Sequence, residues 1–358
     1  MSSEDEPNSS TQILASIQKE FTCMGDGSIR DSFGHSFSVW RVTDFHRWWL
    51  AFESHAGVPL GRKLMNAATD QEEYFLNESS LFDIGWLMKK KRIKSILNQR
   101  WKQMGWGQFS VSNQTAFSHV VAPLCSGFAL ATLEAVKSHR LKVQWRQISN
   151  VQIQLDTDAD LRSISPAPQP PIFDWDSNSR VVSSQQQHPI SLDFQANEHG
   201  WSHAGEQCFF LPIGVLSRLF ESVNMQGLQL SPELLEHWEF PEQFNPAHVA
   251  SLILTSLAMN DVVSQSERPI YIQDLNSWNQ LVEAYLKPLG FGSFASVHAL
   301  DDQGGVEFEL LPSPLLPITT GFLVAFWQRG IGRKAKVKMV MKNGNWSVQI
   351  TSFLAYTG

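Results

Sequence analysis

The chain has 358 residues and a formal net charge of −7 at pH 7, which argues against a general nucleic-acid binder because such proteins normally carry a basic face. Its length suits two domains of about 120 to 150 residues, and domains of that size fold without disulfides or a structural metal. The three cysteines lie far apart in no paired pattern, so we expect no disulfide scaffold and a reducing, cytoplasmic location.

The N-terminus is polar and acidic. Residues 1–12 are rich in Ser, Asp and Glu, which predicts a disordered tail, and they lack the basic start and apolar core of a secretory signal. The longest apolar stretch, Leu310 to Trp327, contains three prolines and is short for a bilayer span. We therefore expect no transmembrane segment.

A helix opened by Thr43 or Asp44 carries an aromatic stripe. Four residues recur at helical spacing and share one face: Phe45, Trp48, Trp49 and Phe52. Core packing explains such a stripe, but its width also allows part of it to face a partner protein or a small apolar ligand. The stripe is our candidate partner or ligand surface.

One dense run of basic residues follows. It consists of Lys89, Lys90, Lys91, Arg92 and Lys94. Such a run can bind phosphate groups, an acidic partner or an anionic membrane surface. A solvated helix face is the alternative interpretation, because apolar residues adjoin the run at helical spacing.

A segment rich in Pro, Ser and Gln divides the chain. Residues 156–190 contain five prolines and show little hydrophobic periodicity, which predicts a linker or a long surface excursion. We therefore divide the chain into a first repeat at 13–155 and a second at 191–358. In the second repeat, cap-and-proline patterns predict helix starts at Pro212, Ser231-Pro232 and Asn245-Pro246.

A polar segment at the start of the second repeat holds the best metal candidates, His199, His203 and Glu206. Two imidazoles four residues apart can share a zinc ion if they lie on one helical face. Gly200 and Gly205 disfavour a helix here, and no Glu directly follows the first His, so a polar loop explains the same residues. No cofactor is indicated.

The two repeats share landmarks in the same order. Gly-aromatic-Gly segments are predicted to end a helix in each, and a later glycine is predicted to open an apolar helix that runs the same distance to a strand. Ordered landmarks of this kind indicate an internal duplication. The landmark glycines are Gly105, Gly107 and Gly127 in the first repeat, and Gly290, Gly292 and Gly321 in the second.

This order resembles the 4-vinyl reductase-like domain, whose superfamily includes the core subunits of the TRAPP vesicle-tethering complex. The resemblance covers about residues 36–155 and 205–352. It implies an α+β fold in which each copy packs a helical layer on a small antiparallel sheet, with the two copies forming an internal pseudo-dimer. Paired cysteines, which bacterial members often carry in the final hairpin, are missing here, so no metal or redox role carries over.

The sequence contains no complete catalytic set and no Gly-x-Ser-x-Gly elbow. Our leading hypothesis is a non-catalytic binding or assembly module that acts on another protein or a small apolar ligand. One alternative is a metal-dependent enzyme using His199, His203 and Glu206. Another is an anionic-surface or nucleic-acid adaptor that uses Lys89 to Lys94. A monomer with internal pseudo-symmetry and a homodimer are both compatible with the pattern.

Overall fold

The computed structural model describes residues 7–82, 89–160, 162–165, 167–176 and 187–354. Helices and largely antiparallel sheets make up an α+β fold, which is the fold class that the sequence predicts. Among the described strands, parallel pairing occurs where Trp238 lies opposite Val337.

The first half begins with a helix and three short strands and continues with three long helices. A pair of short strands, a further helix and a hairpin complete it, with a 3₁₀ turn at Ser80–Phe82. The bounds are α1 (Pro7–Glu20), β1 (Phe21–Met24), β2 (Ile29–Asp31), β3 (Ser36–Arg41), α2 (Val42–Ala56), α3 (Gly61–Glu78), α4 (Lys89–Gln103), β4 (Gln108–Ser110), β5 (Thr115–Phe117), α5 (Ala122–Lys137), β6 (Leu141–Gln147) and β7 (Gln152–Ala159).

The second half also places short strands before a helix and ends in a helix followed by a hairpin, with a 3₁₀ turn at Lys287–Leu289. The bounds are β8 (Gln187–Pro189), β9 (Phe194–Asn197), β10 (Gly200–His203), β11 (Glu206–Pro212), α6 (Ile213–Asn224), α7 (Pro232–Leu235), β12 (Trp238–Glu239), α8 (Pro246–Ser264), α9 (Leu275–Tyr285), β13 (Ser296–Ala299), β14 (Val306–Leu310), α10 (Leu316–Ile331), β15 (Ala335–Lys342) and β16 (Asn345–Ser352).

Cap residues begin the helices of the second half where the sequence predicts. The Ser231 side chain accepts a hydrogen bond from the Leu234 amide, and the Asn245 side chain accepts one from the Ala247 amide. Such side chains satisfy amides that have no partner within the helix. Pro212 directly precedes α6, so all three predicted helix starts are confirmed.

One sheet joins the two halves. It contains seven strands in the order β8-β1-β2-β3-β11-β10-β9, and its centre is the antiparallel pair β3–β11, with Val39 opposite Phe210. Both central strands run directly into a helix, β3 into α2 and β11 into α6. A four-stranded sheet, β4-β5-β7-β6, and a five-stranded sheet, β12-β15-β16-β14-β13, complete the fold.

The helices pack both within and between the halves. Helix α3 contacts α5 and α8 contacts α10 within the halves. Between the halves, α2 packs against α8 and α6 packs against α3.

Gly127 and Gly321 lie inside α5 and α10, so the prediction that they open these helices is wrong. Each helix starts earlier, with a proline in its first turn. The glycines allow close packing: a Cβ on Gly127 would lie 2.4 Å from Met65 O.

Buried side chains from both halves form one continuous hydrophobic core. The segment predicted as a linker contributes to it, because Phe173 and Trp175 are buried and Trp175 O accepts a hydrogen bond from Trp346 Nε1 at 3.2 Å. Aromatic rings bury large areas even where prolines prevent regular structure.

Residues 7–12, which the sequence predicts as part of a disordered tail, are helical and belong to α1. Residues 1–6 lie outside the described residues.

One described helix, α8, is long and apolar enough to cross a membrane by length and composition. However, 61% of its apolar window is buried inside the protein, against α2, α6 and α10. Core helices of this kind meet the same criteria, so the described residues contain no clear membrane span.

Candidate functional site

One cavity in the described part of the chain lies where the two halves meet. It has a volume of about 530 Å³, within the range of small-molecule sites. Polar residues of the β1–β2 turn form one wall, and residues 310–316, before and at the start of α10, form the opposite wall. Among the described residues that line it, Arg30 is the only Lys or Arg, so we call this space the Arg30 cavity.

Hydrogen bonds within the β1–β2 turn fix its wall of the cavity. The Asp26 carboxylate accepts bonds from the Ser28 amide at 2.8 Å and from the Ser28 hydroxyl at 2.6 Å. The turn is anchored to the second half, because Gly292 N donates to Gly27 O at 3.0 Å. The cavity wall is therefore set by contacts between the halves, independently of any ligand.

Arg30 has an unused donor at this site. It lies on β2, and its Nη2 is 3.6 Å from Asp26 Oδ2, a loose ion pair. Its Nε is buried and has no hydrogen-bond partner among the described residues. A buried donor without a partner is costly and rare. Because Arg30 also lines the cavity, an acceptor group on a ligand there would lie beside this guanidinium group.

The remaining walls combine apolar and polar groups. Ile213, Leu310 and Leu315 contribute apolar surface, and the turn around Asn343 contributes polar atoms. Thr319 is held in place because its hydroxyl donates to Phe291 O at 2.6 Å. The cavity therefore suits a small molecule with an apolar part and an acceptor group, rather than a wholly apolar ligand.

A second cavity, of about 430 Å³, lies beside α3 and α5. Glu73 and Glu134 line it, and both carboxylates are bonded to Nη1 of Arg140, at 2.8 Å in the case of Glu134. Burial raises the pKa of Glu73 to about 8, and the adjacent Glu134 carboxylate acts in the same direction while Arg140 opposes it. We call this space the Glu73 cavity.

The predicted aromatic stripe is not a surface. Phe45, Trp48, Trp49 and Phe52 are all buried, with relative exposures between 0 and 4%. They pack on aromatic rings such as Trp40 and against α8 of the second half. The interpretation of the stripe as a partner or ligand surface is therefore wrong, because the fold covers all sides of α2 that carry these rings.

The basic run lies on α4. Lys91, Arg92 and Lys94 are exposed, while Ile93 is buried in a small cluster with Leu97 and Phe75. Lys89 and Lys90 belong to the helix, and their side chains lie outside the described residues. This arrangement is that of a solvated helix face, and binding to an anionic surface stays a prediction.

The metal candidates do not converge. His199 precedes β10 with its ring 5.3 Å from that of His119, and His203 ends β10. Glu206 is bound to Arg41, 3.3 Å away, and to the Thr43 hydroxyl. In the part of the chain that the structure describes, no three His, Cys, Asp or Glu residues are placed to hold a metal ion. A β-hairpin replaces the helix that the zinc spacing would need.

The landmark glycines fall into two structural groups. Gly105, Gly107, Gly290 and Gly292 have positive φ and end helical segments, as predicted for the Gly-aromatic-Gly segments. Each segment contacts the other half: Trp106 Nε1 donates to Phe210 O on β11 at 2.9 Å, and Gly292 donates to Gly27 in the β1–β2 turn. These glycines have a structural role, and Gly292 also lines the Arg30 cavity.

All three cysteines, Cys23, Cys125 and Cys208, are free. Burial raises the pKa of the Cys125 and Cys208 thiols to about 12 in each case. Since the thiolate is the nucleophilic form, neither is poised for chemistry near neutral pH. This agrees with interpreting Cys125 as a small buried residue.

No protein-family model, no curated protein and no solved structure significantly matches this chain. Function must therefore be argued from the site.

The sequence alone did not reveal either cavity. Arg30 lies in a short strand without a recognisable motif, and its unsatisfied Nε depends on tertiary packing. One signal was available for the Glu73 cavity: Glu134 interrupts the otherwise apolar run between Phe128 and Val136 on α5. A charged residue in a buried helix usually has a charged partner or a functional role.

Proposed function

We propose that this chain is a non-catalytic binding module that holds a small molecule in the Arg30 cavity. The observation that carries the proposal is the buried Arg30 Nε, which has no partner among the described residues and belongs to a side chain that lines a cavity of about 530 Å³. The ligand would place an anionic or neutral acceptor group against Arg30. Its apolar part would contact Leu310 and Leu315.

The arrangement of the halves supports a binding rather than a catalytic role. The cavity walls come from the N-terminal turn and from the second half, which are joined by the β3–β11 pair and by the Gly27–Gly292 contact. Such a site responds to how the halves sit on each other, as expected for a sensor or assembly module.

We also propose that the halves are diverged 4-vinyl reductase-like copies related by a pseudo-two-fold axis between β3 and β11. Contacts between the halves support this proposal, because α2 packs against α8 of the second half and α6 packs against α3 of the first half. Short strands also precede both α2 and α6. An experimental structure tests the duplication, since residues 36–155 and 205–352 should superpose element by element. Failure to superpose would exclude it.

A reducing, cytoplasmic location is part of the same proposal, because three free cysteines accumulate oxidation damage elsewhere. Labelling the denatured protein after purification without reductant should then modify all three thiols. A disulfide between any two of them would contradict this.

Native mass spectrometry of gently purified protein tests the binding function. We expect a mass above that of the bare chain, and its loss on denaturation of the same sample. Arg30→Ala should lower the occupied fraction. The matched control is Arg146→Ala, which removes an arginine whose side chain is 65% exposed on β6 and should leave occupancy unchanged.

A cavity-filling variant provides a second, independent test of ligand binding in the Arg30 cavity. Ser293→Phe places a ring in the Arg30 cavity and should abolish the extra mass while thermal unfolding stays cooperative. If the wild-type protein shows no adduct, and no small carboxylate or phosphate in a panel shifts its melting temperature, the binding function is wrong.

A further inference from the structure

Two buried carboxylates share one arginine in the Glu73 cavity. The Glu73 and Glu134 side chains are 5% and 2% exposed, and both are bonded to Nη1 of Arg140. Glu73 uses Oε1 for that bond, and its Oε2 is buried without a hydrogen-bond partner in the described part of the chain. Oε2 therefore receives no hydrogen bond from a described donor, and Glu134 lies close enough to share a proton with Glu73 when Glu73 is protonated.

Neighbouring charges do not balance the pair. Asp70 on α3 and Arg218 on α6 also interact with this group, and their charges are of opposite sign. Glu73 and Glu134 share the single guanidinium group of Arg140, which leaves one negative charge in excess if both carboxyl groups are ionised. A buried uncompensated charge is unfavourable, so the cluster requires either a proton or an external cation.

The fold itself does not require a charge at position 134. Glu134 Oε1 accepts a bond from the Leu141 amide, at the start of β6, at 2.6 Å. In the second half, Gln328 lies equally far from Gly321 and accepts the same kind of bond from the Ala335 amide, at the start of β15, at 3.0 Å. A neutral amide therefore serves this structural role, and the carboxylate at 134 needs another explanation.

The rest of the cavity is mainly apolar. Leu76, Phe82, Ala131 and Ala135 line it beside the carboxylates. Its volume of about 430 Å³ suits a molecule of modest size. The lining thus combines the two carboxylates with apolar side chains and with the polar Asn77, Ser138 and Ser163.

We propose that the Glu73 cavity binds a small molecule that carries an ammonium group on an apolar body, with Glu73 as the counterion of the ammonium. The ammonium donates to Glu73 Oε2, and the apolar body lies against Leu76 and Ala135. This site is distinct from the Arg30 cavity and does not depend on the function proposed for it.

Binding then replaces the proton on Glu73 with the ammonium group of the ligand. Below its raised pKa of about 8, Glu73 carries a proton. The incoming ammonium replaces that proton, which leaves for solvent, and no covalent bond forms or breaks. Affinity should therefore rise with pH between 6 and 8, by up to about tenfold per unit.

Calorimetric titration with hexylamine tests the proposal, with hexanol as the uncharged probe of similar shape. We expect the wild-type protein to bind hexylamine more tightly than hexanol and to release close to one proton at pH 6.5, measured in two buffers of different ionisation enthalpy. Glu73→Gln keeps the size of the side chain. It should weaken hexylamine binding by about tenfold or more while leaving hexanol binding unchanged.

Two further variants separate the outcomes. Arg30→Ala should leave hexylamine binding intact, so failure of one site is distinguishable from failure of the other. Glu134→Gln retains the acceptor for the Leu141 amide and should weaken binding less than Glu73→Gln does. Equal binding of both probes, an affinity that does not change with pH, or no hexylamine binding to folded wild-type protein at millimolar concentration would each overturn the proposal and leave a purely structural ion cluster.

Discussion

Gly27 lies so close to Gly292 that a Cβ on Gly27 would be 2.5 Å from the Gly292 carbonyl carbon. The same pair is joined by the hydrogen bond from Gly292 N to Gly27 O at 3.0 Å. A similar approach occurs on the other side of the sheet, where a Cβ on Gly200 would be 2.9 Å from Gly105 Cα. Short turns of each half are thus held against the Gly-aromatic-Gly segment of the other.

This contact predicts that Gly27→Ala is strongly destabilising. Gly27 has a φ of +77°, and the added methyl group would also collide with the Gly292 backbone, so we expect a loss of at least about 2 kcal/mol. Gly34→Ala is the matched control, because Gly34 has a φ of +88° with no atom within 4 Å; it should cost only about 1 kcal/mol. Chemical denaturation measures both. Equal losses would contradict the packing argument.

The aromatic helix α2 provides a second prediction. Trp48 is fully buried, so Trp48→Ala should cost about 3–5 kcal/mol of unfolding free energy. Leu50, on the same helix, is 65% exposed, and Leu50→Ala should cost less than about 0.5 kcal/mol. Urea unfolding monitored by circular dichroism distinguishes them. A Trp48→Ala protein of unchanged stability would mean that the ring is not in the core.

Local signals predicted much of the fold. Capping by Ser231 and Asn245 and the left-handed Gly105 and Gly290 depend on neighbours within a few residues, and all are present.

Tertiary contacts account for what the sequence did not reveal. Short strands such as β8 and β12 gain their hydrogen bonds from distant partners, β1 and β15, and have too few residues for a clear alternation. Whether an aromatic stripe is core or surface depends on what crosses it, and α8 comes about 200 residues later than α2 in the chain. The Arg30 and Glu73 cavities also arise from such long-range contacts, and the local signal for the Glu73 cavity was the charged Glu134 within α5.

A buried ion pair between α4 and α3 predicts that replacing Arg100 costs far more unfolding free energy than replacing the exposed Arg146. Arg100 forms two bonds to Glu72, at 2.5 and 2.8 Å, and its guanidinium carbon lies 3.6 Å from the centre of the Phe75 ring. Arg100→Ala would leave Glu72 buried and unpaired, at a cost of about 3–5 kcal/mol. The exposed pair of Arg146 with Asp156 is the control, and Arg146→Ala should cost less than about 0.5 kcal/mol.

Thermal and urea unfolding of both arginine variants gives the comparison. Adding Glu72→Gln to Arg100→Ala should recover part of the loss, since it removes the unpaired charge. A double variant no more stable than Arg100→Ala alone would show that the loss comes from packing against Phe75 instead.

The Glu73 carboxyl group makes stability depend on pH in an unusual direction. Its pKa is about 8 in the folded protein, raised by burial, against an ordinary value of 4.5 in the unfolded chain. The folded state therefore binds the proton more tightly, and the resulting stabilisation is complete below pH 4.5 and is lost as pH rises through 8. We expect this loss to be on the order of 1–3 kcal/mol, because the group is coupled to Glu134 and Arg140.

Unfolding free energy measured from pH 5 to 8.5 checks this, and Glu73→Gln should flatten that part of the profile. Glu307→Gln is a control of opposite sign: hydrogen bonds from Lys342 and Ser347 lower the pKa of Glu307 to about 2, so its stabilisation is present above pH 4.5 and lost on acidification. Glu307→Gln should therefore change the unfolding free energy only at acidic pH. If the stability of Glu73→Gln still falls between pH 5 and 8, another group is responsible for the titration. The excess negative charge that we propose for ligand binding in the Glu73 cavity would then belong to that other group as well.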